Sequence, residues 1–175
     1  MMGKHIILIG FMGTGKSTVG EMLAEKLECP WLDTDTEVER LAGKKIPRLF
    51  EEGGEAHFRR WEKKVLKQVL EQTPGVITTG GGIVLDPENV SWIRSSGWVV
   101  ALDASEEELL RRLATDQSRP LLRGDARQRV RDLKRARQGV YDFADLFLDT
   151  TGSSPRETAA KILQQWKEMT GSSRV

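Results

Sequence analysis

The stretch that decides the fold is GFMGTGKST at residues 10–18, which directly follows the apolar run IILI at residues 6–9. It fits the pattern G-x-x-x-x-G-K-[ST] and stands between a predicted strand and a predicted helix. Its glycines keep side chains away, so that backbone N–H groups can wrap a phosphate. The following helix begins at its positive dipole end, which favours an anion. The alternative interpretation is a tight strand-to-helix turn in which the lysine and the hydroxyls are incidental.

The same loop carries the polar side chains that a nucleoside triphosphate requires. Lys16 would reach the β- and γ-phosphates, the Ser17 hydroxyl would bind Mg²⁺, and Thr18 would support the α-phosphate side. We therefore predict that the chain binds a nucleoside triphosphate together with magnesium.

The composition predicts one soluble domain that spans residues 1–175. The net charge is only +1, so we expect no bulk attraction to nucleic acid or to an anionic membrane. No apolar stretch approaches the roughly 20 residues that span a bilayer, and the start of the chain lacks a signal-peptide pattern. With a single cysteine, Cys29, and two distant histidines, we expect a cytoplasmic protein without a disulfide or a histidine metal site.

Short β-branched runs alternate with helical patterns, which predicts an α/β fold with right-handed crossovers. The runs are mostly apolar, as expected of strands that are covered on both faces of a parallel sheet. The five strand candidates are residues 4–10, 30–33, 75–79, 97–102 and 145–149.

Several helices have readable starts. Residues 55–70 show apolar side chains at helical spacing. Three further starts carry an N-cap or capping-box pattern: Asp86 before Pro87, Ser105 with Glu108, and Ser154 with Glu157.

An acidic segment, Leu-Asp-Thr-Asp at residues 32–35, follows the second predicted strand. Ligands of open α/β sheets bind beyond the carboxyl ends of the strands. Asp33 and Asp35 would then divide two tasks, one facing the metal and the other orienting an acceptor hydroxyl and taking its proton. The alternative is that one of them only caps a helix at residues 36–41.

Glycines and arginines supply the remaining candidates. The triple glycine at residues 80–82 would let backbone N–H groups approach a ligand, unless it is only a flexible exit from the third strand. The segment RPLLRG at residues 119–124 predicts a mobile loop that covers phosphates. Arg59 and Arg137 would suit a substrate carboxylate if both point to the same edge of the sheet.

These motifs narrow the class of nucleotide-binding protein. A GTPase would carry an Asn-Lys-x-Asp motif, but Asn89 is the only asparagine and is followed by valine. A helicase or motor usually needs a longer chain and a strand that ends in adjacent acids, whereas the third strand here ends in TTGGG. A compact nucleotide-dependent kinase fits best.

Taken together and in order, the motifs resemble those of the shikimate kinase family. They are GFMGTGKSTVG, LDTD, GEAHFRRWE, ITTGGGIV, RPLL and RQGVYDFAD, and they extend over nearly the whole chain. The resemblance implies a three-layer P-loop nucleoside monophosphate kinase-like fold with a five-stranded parallel sheet in the order 2-3-1-4-5. It also implies transfer of the γ-phosphoryl group of ATP to the 3-hydroxyl of shikimate, in aromatic amino-acid biosynthesis.

The resemblance further implies a role for each matched residue. The ATP-binding residues would be Gly13, Thr14, Gly15, Lys16, Ser17, Thr18, Arg112, Arg119 and Pro155. The shikimate-binding residues would be Asp35, Arg59, Gly80, Gly81, Gly82 and Arg137. The catalytic residues would be Lys16, Asp35 and Arg119, and Mg²⁺ would be held by Ser17 and, through water, by Asp33. Glu62 would orient Arg59.

The resemblance also implies a substrate-binding segment at about residues 33–62 and a mobile lid at about residues 113–124, in a monomeric enzyme. One departure is Gln138-Gly139-Val140-Tyr141, where relatives often have Asn-Pro-Leu-Tyr. Two rival functions stay open: a related small-molecule kinase, for example one that acts on gluconate, and a non-catalytic ATP-binding module.

Overall fold

A computed structural model describes residues 3–114 and 125–171 of the chain. The described residues contain a five-stranded parallel sheet in the order β2-β3-β1-β4-β5, which confirms the predicted fold and strand order. The strands are β1 (His5–Gly10), β2 (Trp31–Asp33), β3 (Val76–Thr78), β4 (Gly97–Asp103) and β5 (Leu146–Asp149). All five predicted strands are present, with ends that differ by one residue at most.

Helices follow the strands and cover both faces of the sheet. They are α1 (Lys16–Leu27), α2 (Thr34–Ala42), α3 (Ile46–Leu70), α4 (Pro87–Ser96), α5 (Glu106–Leu113), α6 (Ala126–Ala136) and α7 (Pro155–Met169), with a short 3₁₀ turn at Ile83–Leu85. None of the helices in the described ranges is long and apolar enough to cross a bilayer.

The central strand β1 is buried along its whole length and separates two apolar cores. Because side chains of a strand alternate between faces, Ile7 and Ile9 pack with α3 and α4, whereas Ile6 and Leu8 pack with α1 and α7. The result is the three-layer arrangement that the family resemblance implies, with the sheet covered on both faces as the apolar runs predicted. It places the carboxyl ends of β1, β2 and β3 side by side at one edge of the sheet.

The long helix α3 is two helical segments joined at a kink. Gly53 and Gly54 have non-helical backbone angles, and Gly54 has a φ of +69°, which favours glycine. The second segment therefore begins where the apolar periodicity of residues 55–70 predicted it. The first segment, from Ile46, was not predicted.

The predicted helix starts are largely confirmed. Asp86 caps α4, and Ser154 with Glu157 forms a complete capping box at α7. At α5 the capping-box prediction is wrong in one half. Ser105 does accept a hydrogen bond from the Glu108 N–H, but the Glu108 carboxylate binds the guanidinium groups of the following turn instead of reaching back.

Candidate active site

The phosphate-binding loop connects β1 to α1 through glycines in the left-handed region of backbone space. Gly13 has a φ of +79° and Gly15 a φ of +89°, values that other residues adopt only with strain. Gly10 is also fixed by packing, because a Cβ atom there would lie 2.0 Å from the Leu102 carbonyl oxygen. The glycines of the motif are thus required by the backbone path.

Lys16 begins α1, and its side chain is folded back over the loop. It is buried, and its ammonium group donates hydrogen bonds to the carbonyl oxygens of Gly10 at 2.9 Å and Phe11 at 2.8 Å. The Thr14 hydroxyl also donates to the Phe11 carbonyl. These contacts hold a positive charge at the centre of the loop, whereas Ser17 and Thr18 are exposed on the first turn of the helix.

Asp33, at the end of β2, joins the loop to the neighbouring strand. Its Oδ2 atom accepts hydrogen bonds from the hydroxyls of Ser17 at 2.8 Å and Thr78 at 2.7 Å. Its Oδ1 atom accepts from the N–H groups of Asp35 and Thr36 and so caps α2. The capping interpretation of Asp33 is therefore correct, and the same carboxylate also contacts Ser17. A role of Asp33 toward a metal ion stays a prediction.

Thr78 is a site residue that the sequence interpretation missed. It lies on β3 directly beside Asp33, and its hydroxyl accepts a hydrogen bond from the Trp31 indole. The predicted pairing of strands 2 and 3 contained the signal, because residues at equivalent ends of adjacent parallel strands become neighbours.

The Ser17 hydroxyl and the Asp33 carboxylate form a donor set that suits Mg²⁺. Both are hard oxygen ligands, and Mg²⁺ is commonly held by one or two protein oxygens together with water and phosphate oxygens. Within residues 3–114 and 125–171, no group of three or more His, Cys, Asp or Glu side chains could hold a metal ion. The two oxygen ligands themselves fit an ion whose remaining ligands are water and phosphate oxygens.

A cavity of about 480 Å³ opens beside this pair. Ser17 and Asp33 lie at its wall together with Arg59 and Arg137, so the two arginines do converge on the edge of the sheet that carries the nucleotide loop. The other predicted substrate residues in the wall are Asp35 and the three glycines Gly80, Gly81 and Gly82. An apolar side is formed by Met12, Ile46, Pro47, Phe50 and Phe58.

Arg59 extends from α3 between two carboxylates. It donates to Glu62 Oε2 at 2.6 Å and to Glu55 Oε1 at 2.9 Å and 3.2 Å. A Cβ atom on Gly82 would lie 2.2 Å from its Nη2 atom. Gly82 is therefore required for the guanidinium group to lie against the backbone of the triple glycine.

Arg137, just after α6, is only 5% exposed. Its guanidinium group lies 5.4 Å from the centre of the Phe11 ring. Its Nη1 atom is buried without a hydrogen-bond partner among the described residues, and it is 3.2 Å from the place of a Cβ atom on Gly81. A buried cation with an unused donor is costly unless an anion approaches it. The cavity is therefore suited to an anionic group.

Glu62 is almost completely buried beneath the arginine pair. Burial raises the pKa of its carboxyl from 4.5 to about 7, although the positive charge of Arg59 opposes the shift. Asp35 adds to the increase, and Arg137 reduces it. A Cβ atom on Gly80 would lie within 2.8 Å of both carboxyl groups, so Gly80 provides the space between them.

Arg112, on α5, lies beside the nucleotide loop. It donates to the carbonyl oxygen of Gly13 at 3.3 Å and to both the hydroxyl and the carbonyl oxygen of Thr150. Thr150, which the sequence interpretation missed, also donates to the Thr14 carbonyl. Pro155 is exposed at the first position of α7. A role of Arg112 and Pro155 against adenine stays a prediction.

Arg119 and nearly all of the predicted lid at residues 113–124 lie outside the described residues. Their roles stay predictions from the resemblance.

Comparisons with known proteins identify the family of the chain. The family model for shikimate kinase matches residues 12–167. A shikimate kinase from Desulforudis audaxviator is 46% identical over 94% of this chain and 87% of its own. One from Enterococcus faecalis is 45% identical over 94% of this chain and 99% of its own.

Solved structures extend the comparison. Shikimate kinase from Acinetobacter baumannii in complex with shikimate superimposes with a TM-score of 0.90 at 36% identity, and the match covers 98% of this chain and 96% of that one. A gluconokinase from Sinorhizobium meliloti, at 17% identity and a TM-score of 0.59, shares the fold alone. With a family model over most of its length and relatives well above 30% identity, the chain belongs to the shikimate kinase family.

Proposed function

We propose that this chain transfers the γ-phosphoryl group of ATP to the 3-hydroxyl of shikimate, giving ADP and shikimate 3-phosphate. The observation that carries the proposal is the shared cavity: Arg59 and Arg137 line the same space as Ser17 and Asp33. A site for an anionic acceptor thus adjoins a site for a nucleotide phosphate and its metal.

The acceptor site accounts for the recognition of a small cyclic acid. Arg137 and Arg59 present planar cationic groups, which bind a carboxylate through paired hydrogen bonds. Phe50 and Phe58 stack at 5.0 Å between ring centres and supply an apolar side for the ring of the acceptor. Asp35 would hold the attacking hydroxyl and accept its proton. The triple glycine would contribute backbone contacts.

The nucleotide site supplies charge neutralisation. Lys16 would donate to the β- and γ-phosphate oxygens, and the N–H groups of residues 13–18 would hold the remaining phosphate oxygens. Ser17 and, through water, Asp33 would hold Mg²⁺, which offsets negative charge on the β- and γ-phosphate oxygens when it is bound. Catalysis then consists mainly of alignment, because phosphoryl transfer needs little covalent chemistry from the protein.

A panel of acceptors in a coupled ADP-release assay tests this function. Shikimate is expected to stimulate ADP release strongly over ATP alone, and gluconate is expected to have no effect. Stimulation by gluconate instead would favour the related small-molecule kinase. ATP binding without stimulation by any acceptor would favour the non-catalytic module.

Arg137→Ala tests the acceptor site itself. Loss of a charged partner is expected to weaken shikimate binding roughly tenfold or more in calorimetry, while the KM for ATP changes little. Arg129→Ala is the matched control, because Arg129 is an exposed arginine of α6 outside the cavity. Unchanged shikimate affinity in Arg137→Ala would remove this residue from the site. Action as a cytoplasmic monomer that binds no nucleic acid stays a prediction.

A further inference from the structure

The turn that follows Arg137 leads the chain back to the acceptor cavity. The Val140 N–H donates to the Arg137 carbonyl, and the Asp142 N–H donates to the Gly139 carbonyl at 3.1 Å. Gly139 has a φ of +79°, which residues with a side chain adopt only with strain. This glycine therefore lets a turn of three residues bring Tyr141 next to Arg137.

Tyr141 makes a hydrogen bond that spans 60 residues of the chain. Its hydroxyl donates to the carbonyl oxygen of Gly81 at 2.7 Å, while its ring packs against the apolar core under α3 and α4. Burial raises the pKa of this phenol, which keeps the hydroxyl protonated as a donor. A short hydrogen bond at the edge of a core fixes both of its partners.

The positive charge of Arg137 opposes this increase in the pKa of Tyr141. Gly81 is closely packed on its other side: a Cβ atom there would lie 3.2 Å from each of the Arg137 Nη1 atom, the Gly10 carbonyl oxygen and the Met12 nitrogen. Tyr141 therefore holds the middle glycine of the triple glycine, and the buried arginine lies against that same glycine.

We propose that Tyr141 is a positioning residue for the acceptor: its hydroxyl fixes the Gly81 carbonyl, and the Arg137 guanidinium group lies against Gly81. The inference rests on the proposed function, because it assigns to Arg137 the binding of the acceptor carboxylate. Tyr141 itself does not need to touch the substrate. Its effect appears in how well the acceptor binds, because Arg137 keeps its charge but the Gly81 backbone beside it is no longer fixed when the hydroxyl is removed.

Tyr141→Phe tests the proposal, since it removes only the hydroxyl. The KM and the calorimetric Kd for shikimate are expected to rise about fivefold, with kcat and the KM for ATP within about twofold of wild type. Thr158→Val is the matched control, because it removes a buried hydroxyl from α7, where Thr158 donates to the Ser154 carbonyl. The control is expected to leave the shikimate KM unchanged.

Two further variants keep the proposal falsifiable. Gly139→Ala retains the phenol but strains the turn, and the new Cβ atom would lie 3.4 Å from the Asp142 carboxylate. This variant is expected to raise the shikimate KM, as Tyr141→Phe does. In a double-mutant cycle, Tyr141→Phe is expected to cost far less in an Arg137→Ala background than in wild type.

The possible results distinguish a failure of the role of Tyr141 from a failure of the proposed function. One possible result is that wild type and the control bind shikimate, that Arg137→Ala loses affinity, and that Tyr141→Phe binds shikimate within twofold of wild type. In that case Tyr141 has no positioning role, and the proposed function stands. Full additivity in the double-mutant cycle would also overturn the role of Tyr141. If wild type itself binds no shikimate, the proposed function is wrong and the inference falls with it.

Discussion

Glu62→Gln is expected to change how the stability of this protein depends on pH. The carboxyl of Glu62 is 1% exposed and hydrogen-bonded to Arg59, and burial raises its pKa from 4.5 to about 7. Glutamine keeps the shape of the side chain but cannot ionise. The comparison therefore isolates the cost of placing this negative charge beside Asp35, Arg59 and Arg137.

The sign and the size follow from proton binding in the two states. Between pH 4.5 and about 7, Glu62 is ionised in the unfolded chain but keeps its proton in the folded chain. The folded state then binds more protons, so its stability falls as the pH rises through this window and levels off above it. At 1.36 kcal/mol for each pKa unit, the fall between pH 5 and pH 8 is about 2.5 kcal/mol.

Urea unfolding at pH 5 and at pH 8 measures this cost. The free energy of unfolding of Glu62→Gln minus that of wild type is expected to rise by about 2.5 kcal/mol between the two pH values. Glu55→Gln removes the exposed partner of the same arginine and is expected to change stability by less than about 1 kcal/mol at either pH. The difference in unfolding free energy between Glu62→Gln and wild type would refute this reasoning if it changed by less than about 0.5 kcal/mol from pH 5 to pH 8. The ion pair with Arg59, rather than burial, would then determine the pKa of the Glu62 carboxyl.

Three further substitutions test individual contacts. Gly82→Ala would place a Cβ atom 2.2 Å from Nη2 of Arg59. Because the flexible arginine side chain can move aside, the shikimate KM is expected to rise about tenfold with little change in Tm. An unchanged KM would contradict the role of Arg59. Thr78→Val removes the hydroxyl that donates to Asp33. A loss of about 1–2 kcal/mol in the free energy of unfolding is expected, together with a higher Mg²⁺ concentration for half-maximal activity. An unchanged Mg²⁺ dependence of the activity would show that Thr78 does not act on the metal site. Lys16→Ala is expected to abolish turnover while circular dichroism and Tm stay near wild type, so substantial residual kinase activity would refute its role.

Local sequence features were sufficient to predict the α/β class, the strands and the nucleotide loop, whereas the strand order was implied by the family resemblance. The apolar runs predicted five strands because a strand covered on both faces needs apolar side chains throughout. The glycines of residues 10–18 predicted the nucleotide loop because their backbone conformations exclude other residues. Asp86 and Ser154 predicted helix starts through short-range hydrogen bonds. All of these signals depend on residues within a few positions of each other.

Contacts between distant segments were harder to predict. The convergence of Arg59 and Arg137 depends on where the second segment of α3 and the end of α6 lie in space, and spacing along the chain does not specify that. The contact between Thr78 and Asp33 follows from strand register, which was available once the strand order was predicted. The hydrogen bond from Tyr141 to Gly81 has no local signal, because it depends on a left-handed turn at Gly139 and on packing against the core.

The central claim is that one cavity brings a nucleotide phosphate and an anionic acceptor together for transfer. The most direct measurement is ³¹P NMR of the purified chain with ATP, Mg²⁺ and shikimate. One phosphate ester on the 3-oxygen of shikimate is expected for each ADP formed, with almost no inorganic phosphate. Formation of inorganic phosphate alone, or no consumption of ATP while shikimate is present, would contradict it.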